Sequence, residues 1–97
     1  MLPLDIERYV RKAFAPPDQS EALNLVAGAK IHDGLPAEPR LLRCALIAGD
    51  GTIPRLKYWL DGLAHDYRDV ILEAEYIRKN GQWVQVRDLS QPFSEDA

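Results

Sequence analysis

Between Pro39 and Gly49 the chain reads PRLLRCALIAG, and this stretch constrains the fold more than any other. Leu41, Leu42, Cys44, Ala45, Leu46, Ile47 and Ala48 make a helix here apolar on most of its circumference. Such a helix cannot face water along one side and must be enclosed by neighbouring elements. The rest of the 97-residue chain has to supply that enclosure. A chain of this length hides only about two thirds of its unfolded surface, so each large apolar side chain counts. A dimer contact would supplement so thin a core.

The flanking segments supply further helices. Leu2, Ile6, Tyr9, Val10, Ala13 and Phe14 follow helical spacing, with Asp5 and Glu7 near the start and Arg11 and Lys12 near the end. That polarity suits the helix dipole. Pro16 and Pro17 are expected to stop this helix, and Asp18 with Glu21 to open the next in a capping-box-like pattern. The second helix carries Leu23, Val26, Ala27 and Ile31, and is expected to end near His32-Asp33-Gly34, with Gly34 in the left-handed position. Pro39 fits the first turn of the central helix, which Gly49-Asp50-Gly51 closes before Thr52 caps the next.

From Ile53, apolar residues recur at alternating steps of three and four through Leu56, Leu60, Leu63, Tyr67, Val70, Ala74 and Ile77. Either one long helix or two in line would produce that register. Gly62 and the AHD segment favour a break near His65, with Asp66 accepting from the backbone of the following turn and Asp69 adding charge to its start. Beyond Tyr76 the pattern changes. Asn80-Gly81 is a strong two-residue hairpin signal, and WVQV after it is strand-like, so residues 75–79 should pair with 82–87. A lone hairpin is marginal in water, and Trp83 or Val84 is expected to anchor it to the helices.

The fold class predicted is therefore mainly α: four to five short antiparallel helices with a small C-terminal β-hairpin. The central helix should be flanked by the second, fourth and fifth. Residues 1–90 form one domain, and 91–97 a flexible acidic tail tacked down by Phe93. Net charge is −3 and the pI about 5.3, a field that opposes nucleic acid and anionic membrane. MLPLDIERYV is acidic by position 5 and does not resemble a signal peptide. One cysteine suits a reducing compartment. The expectation is a cytoplasmic protein without a membrane span.

Two His-Asp pairs, His32-Asp33 and His65-Asp66, raise a metal site. Imidazole and carboxylate together bind divalent ions, and a bound ion can activate water. The set His32, His65, Asp66 and Asp69 is similar to that of metal-dependent phosphohydrolases of the HD-domain type. Those helical enzymes hold metal through a separate His, a His-Asp pair and a further Asp, and that resemblance would imply a hydrolase. The opposing reading is punctuation: histidine suits a helix C-terminus and aspartate the N-cap that follows. That reading is preferred here.

The remaining constellations are weaker. Cys44 lies among apolar residues and reads as a small buried hydrophobe. No glycine-rich phosphate loop and no nucleophile elbow is present. The third helix, the AGDG turn and the fourth helix resemble a helix-turn-helix nucleic-acid binder, with Arg55, Lys57 and Tyr58 projecting. Pro54, however, stands where base contacts are made. ALIAGDGTIPRLKYWLDGLAHDY is also similar in rhythm to the helix-turn-helix of an ankyrin repeat. It covers about a quarter of the chain and lacks the Thr-Pro-Leu-His opening.

No cofactor, metal or catalytic set is predicted. The leading expectation is a non-enzymatic module that binds a protein partner or itself. Trp and Tyr dominate binding hot spots, which makes Tyr58, Trp59 and Trp83 the interface candidates, together with Arg55. Trp59 keeps register with Leu56 and Leu63, so a place in the core competes for it. Arg40–Arg43 and Arg78–Lys79 are expected on solvated faces.

Overall fold

A computed structural model describes residues 2–93. Among these lie four helices and one hairpin, in the order α1 (Leu4–Ala13), α2 (Pro16–Ala27), α3 (Pro39–Gly49), α4 (Ile53–Glu75), β1 (Tyr76–Lys79) and β2 (Gln82–Gln85). The mainly helical class with a C-terminal hairpin is the one expected. No helix among the described residues is long and apolar enough to cross a membrane.

The PRLLRCALIAG helix is the core element. Eight of its eleven residues are buried, and its main partner is α4, which doubles back after the tight turn at residues 50–52. Ile6 and Val10 of α1, Val26 of α2, Leu46 of α3 and Leu56, Leu63 and Val70 of α4 are almost wholly removed from water. Each contributes roughly 1.5–3 kcal/mol of burial. α1 also packs on α3, whereas α2 lies mainly against α1 and α4. The second helix is thus not a principal flank of the central one.

Two boundaries differ from expectation. α1 ends before the paired prolines as expected, but α2 begins at Pro16 itself and not at Asp18, so the prolines also open the next helix. Proline lacks the N–H that a first helical turn would leave unbonded, and Ala15 before it is extended, as proline requires of its predecessor. Asp18 makes no side-chain cap. At the other end, α2 stops at Ala27, and Ile31 and His32 lie beyond it. Residues 29–37 instead form a narrow hairpin-like loop, with Ala37 N–H donating to Ala29 O (3.1 Å) and Ile31 N–H to Leu35 O (2.9 Å). Gly34 is left-handed as expected (φ 77°), but it closes this loop and not a helix.

The α3–α4 turn explains its glycine. Gly51 has φ 74°, and a Cβ there would stand 2.6 Å from the carbonyl oxygen of Ala13 at the end of α1. Thr52 precedes α4, yet its hydroxyl donates back to Gly49 O (3.2 Å) and does not cap the new helix.

Residues 53–75 run as one helix interrupted at Asp66, whose backbone is extended (φ −157°, ψ 99°). The Asp66 carboxylate accepts from Arg68 N–H at 3.1 Å, the N-cap bond anticipated for a second helical segment. His65, ending the first segment, donates Nδ1–H to Asp61 O at 3.0 Å. The His65-Asp66 pair is punctuation, then, whereas His32-Asp33 belongs to a loop.

β1 pairs antiparallel with β2 in the register Tyr76–Gln85, Ile77–Val84, Arg78–Trp83, Lys79–Gln82. Asn80 (φ 51°) and Gly81 (φ 80°) are both left-handed, the turn that matches strand twist. Both Val86 N–H (2.7 Å) and Arg87 N–H (3.3 Å) donate to Glu75 O, a bulge that ends the ladder. Beyond it Leu89 is buried, and Phe93 stacks on Tyr9 with ring centroids 4.4 Å apart. The expected tail is tied down as far as Phe93. Its remainder, residues 94–97, lies outside the described residues.

Candidate interaction site

The hairpin projects from the end of α4, and a half-buried ion pair sits at its base. Glu75 is fully buried, the last residue of α4 and the first to meet the strands. Arg40 grips it with both arms: Nε to Oε2 and Nη2 to Oε1, each 2.8 Å. Gln85 Nε2 donates to Oε1 at 2.9 Å and the Cys44 thiol to Oε2 at 3.5 Å. Arg40's hydrogen bonds outweigh burial and hold the Glu75 carboxyl below the usual range. The fork of a guanidinium suits such a bidentate site, and no single lysine would match it.

A second pair secures the tail. Arg43 Nε donates to Asp5 Oδ2 at 2.9 Å and Nη1 to Leu89 O at 3.1 Å, while Phe93 N–H donates to Asp5 Oδ2 at 3.0 Å. Burial alone would raise the Asp5 pKa, but the bonds from Arg43 and Phe93 outweigh it and the net shift is downward. Arg40 and Arg43 were expected on solvated faces. Both reach instead from α3 toward buried or half-buried carboxylates, because a helix apolar nearly all round sends its arginines to whatever acids border the core. Cys44 is a buried hydrophobe as expected. Burial, then the charge and hydrogen bond of Glu75, push its thiol up to about 12, far from a nucleophile's range.

Glu75, Arg40, Asp5, Arg43 and Gln85 were all missed by sequence reasoning. Helical spacing placed Ala74 and Ile77 on the apolar stripe and left Glu75 beside it. A glutamate in a helix normally implies solvent, and only its position at the helix–strand junction hinted otherwise.

The hairpin held this way leaves its aliphatic side chains in water. The register sets Tyr76, Arg78, Trp83 and Gln85 on one face, with Ile77, Val84, Lys79 and Gln82 on the other. Gln85 and, past the bulge, Arg87 reach the molecule's body, the latter donating to Ala74 O at 2.7 Å. The aliphatic face therefore looks outward: Ile77 is 48%, Val84 40% and Val86 45% exposed. Trp83 does not anchor the arm, being 50% exposed, with the Arg78 guanidinium 5.5 Å from its ring centre. Nor does Val84. The anchor is the hydrogen-bonded lock around Glu75, which is why an apolar anchor is dispensable.

The other predicted interface residues gather on α4. Tyr58 is 68% exposed and meets the half-buried Trp59 edge-on, ring centres 5.0 Å apart. With Pro54 and Arg55 these two line a shallow hollow. A neighbouring groove of about 350 Å³ runs to the kink, where Gly62, His65, Asp66, Asp69 and Val70 complete it. Trp83 lines neither.

Three of the four metal candidates thus share a groove with two of the interface candidates, and His32 is not among its lining residues. His32 Nε2 lies 3.2 Å from its own neighbour Asp33. The Asp66 carboxylate already serves its helix and the side chain of Arg68, at 3.0 Å through each oxygen. Among the described residues no three His, Cys, Asp or Glu side chains are placed to hold one ion. On the helix-turn-helix surface Lys57 pairs with Glu21 at 3.3 Å, and the groove beside Arg55 is lined by Asp61, Asp66 and Asp69.

The chain matches no family model, no curated protein and no solved structure at a significant level.

Proposed function

We propose that the protein is a non-catalytic binding module that engages another protein, or a second copy of itself, through its C-terminal hairpin. The reading rests on the aliphatic side chains that the arm leaves exposed. Ile77, Val84 and Val86 stand in water, while Gln85 and Arg87, exposed along their stems, turn only their polar tips toward Glu75 and Ala74. A hairpin that only completed the fold would bury its aliphatic face, and exposed apolar clusters of this kind mark interaction surfaces. The exposed Trp83 adds a residue type enriched at binding hot spots. Tyr58 and Trp59 form a second, smaller aromatic surface. A nucleic-acid partner is disfavoured by the acids beside Arg55 and by the net charge. The lone buried thiol suits a reducing compartment such as the cytoplasm.

A photoreactive side chain introduced at position 84 tests this inside the producing cell. Adducts at that position, to any protein including the chain itself, are expected, with none from a matched probe at the exposed Glu38. Equal labelling from both positions, or none at 84, would defeat the reading.

A further inference from the structure

We infer that the occupant of the hairpin is a second copy of this chain, joined β2 to β2 about a twofold axis at Val84. This rests on the binding-module reading and specifies its partner. The two-residue turn makes Lys79–Gln82 a doubly hydrogen-bonded pair, and the parity alternates from there. Gln82, Val84 and Val86 therefore direct their amides toward β1, as the Val86 N–H bond to Glu75 O illustrates. Trp83 and Gln85 direct theirs away from it, and among the described residues no backbone group outside the ladder meets them. The lock around Glu75 holds the base of the hairpin, and the free edge of β2 is open to a further strand.

The two edges differ in chemistry. β1 carries adjacent cations, Arg78 and Lys79, of the kind that protect edges from pairing. From Gln82 to Val86 the sequence is QWVQV, without a charge, proline or glycine. Antiparallel pairing centred on Val84 satisfies the edge on both sides. Trp83 of each copy exchanges two main-chain hydrogen bonds with Gln85 of the other, and Val84 faces Val84 across the axis. The aliphatic row then runs Ile77, Val84, Val84, Ile77 over four strands, so each valine gains an aliphatic neighbour on its open side. The twofold also brings no like charges together within the paired segment. Joining β2 to β1 of another copy would be a head-to-tail contact, which closes only as a ring and otherwise propagates, and it would set the uncharged edge against Arg78 and Lys79.

Cysteine cross-linking reads this register directly, because the native Cys44 is buried and stays out of reach. Under a glutathione redox buffer, Val84→Cys is expected to form a disulfide-linked dimer, as facing non-hydrogen-bonded positions do. Gln82→Cys mixed with Val86→Cys should cross-link, and neither should do so alone. Sedimentation equilibrium of the unaltered chain should show a monomer–dimer equilibrium. Val84→Lys, with an unchanged far-ultraviolet spectrum, should weaken it at least tenfold by placing two ammonium groups at the axis. A chain that stays monomeric at 1 mM, or Gln82→Cys linking to itself, overturns the twofold at Val84. If the photoreactive probe at 84 still captures other proteins, only the choice of partner has failed. If it captures nothing, the binding reading has failed too.

Discussion

Glu75 is the buried carboxylate at the junction of α4 and the hairpin. Its carboxylate is removed from water yet accepts from Arg40, Gln85 and Cys44, so burial is tolerable only while those donors remain. Removing one partner of such a pair costs about 3 kcal/mol or more, because the other charge is left buried and unpaired. Arg40→Met is expected to lose that much in urea unfolding, with hairpin amides losing hydrogen-exchange protection before those of α3. The pH dependence follows from the direction of the shifts. Glu75 and Asp5 both have folded pKa values below their unfolded ones, so the unfolded chain takes up protons first as the solution is acidified. Their stabilisation is complete above about pH 4.3 and is lost as pH falls through the depressed folded values. Thermal melts from pH 6 to pH 2 should show this loss, and Glu75→Gln should show a shallower one from a lower starting point.

At the level of elements, the junctions were legible where one residue's conformational preference governs them. Asn80-Gly81 announced the hairpin and Pro39 the third helix, and Asp66 interrupts the fourth as its capping chemistry suggested. Where two readings of the same residue compete, sequence was a poorer guide. Pro16-Pro17 close off one helix and also begin another, and only the first of those roles was expected, so α2 starts two residues before Asp18. Likewise Gly34 fits a helix end and a tight loop equally well, and the bonds between residues 29 and 37 favour the loop. Asp66→Ala removes an N-cap and is expected to cost about 1 kcal/mol in thermal unfolding. Gly51→Ala should cost more than that, since a Cβ there meets the backbone of Ala13 as well as an unfavourable φ. A Gly51→Ala chain as stable as the parent would mean that α1 and the α3–α4 turn are not in contact.

For the whole molecule, helical periodicity was enough to identify the enclosed helix and the stripe through Leu56, Leu63 and Val70 that covers it. It could not reveal which charged residues the core would admit, because an arginine on a helix reads as solvated until its carboxylate partner is known. The two surfaces nominated by aromatic content divide in the same way. Tyr58 and Trp59 line hollows on α4, while Trp83 sits on an arm whose orientation is set by groups that hydrophobic patterning ignores. That arm leaves an uncharged strand edge and aliphatic side chains in water, and the proposed pairing with a second copy would use both. Hydrogen exchange of the Trp83 and Gln85 amides at low and high protein concentration tests this most directly, because those two amides point away from β1. Protection that rises with concentration at Trp83 and Gln85, and stays constant at Gln82 and Val84, is the predicted result. Exchange at Trp83 and Gln85 that is equally fast at every concentration would contradict it.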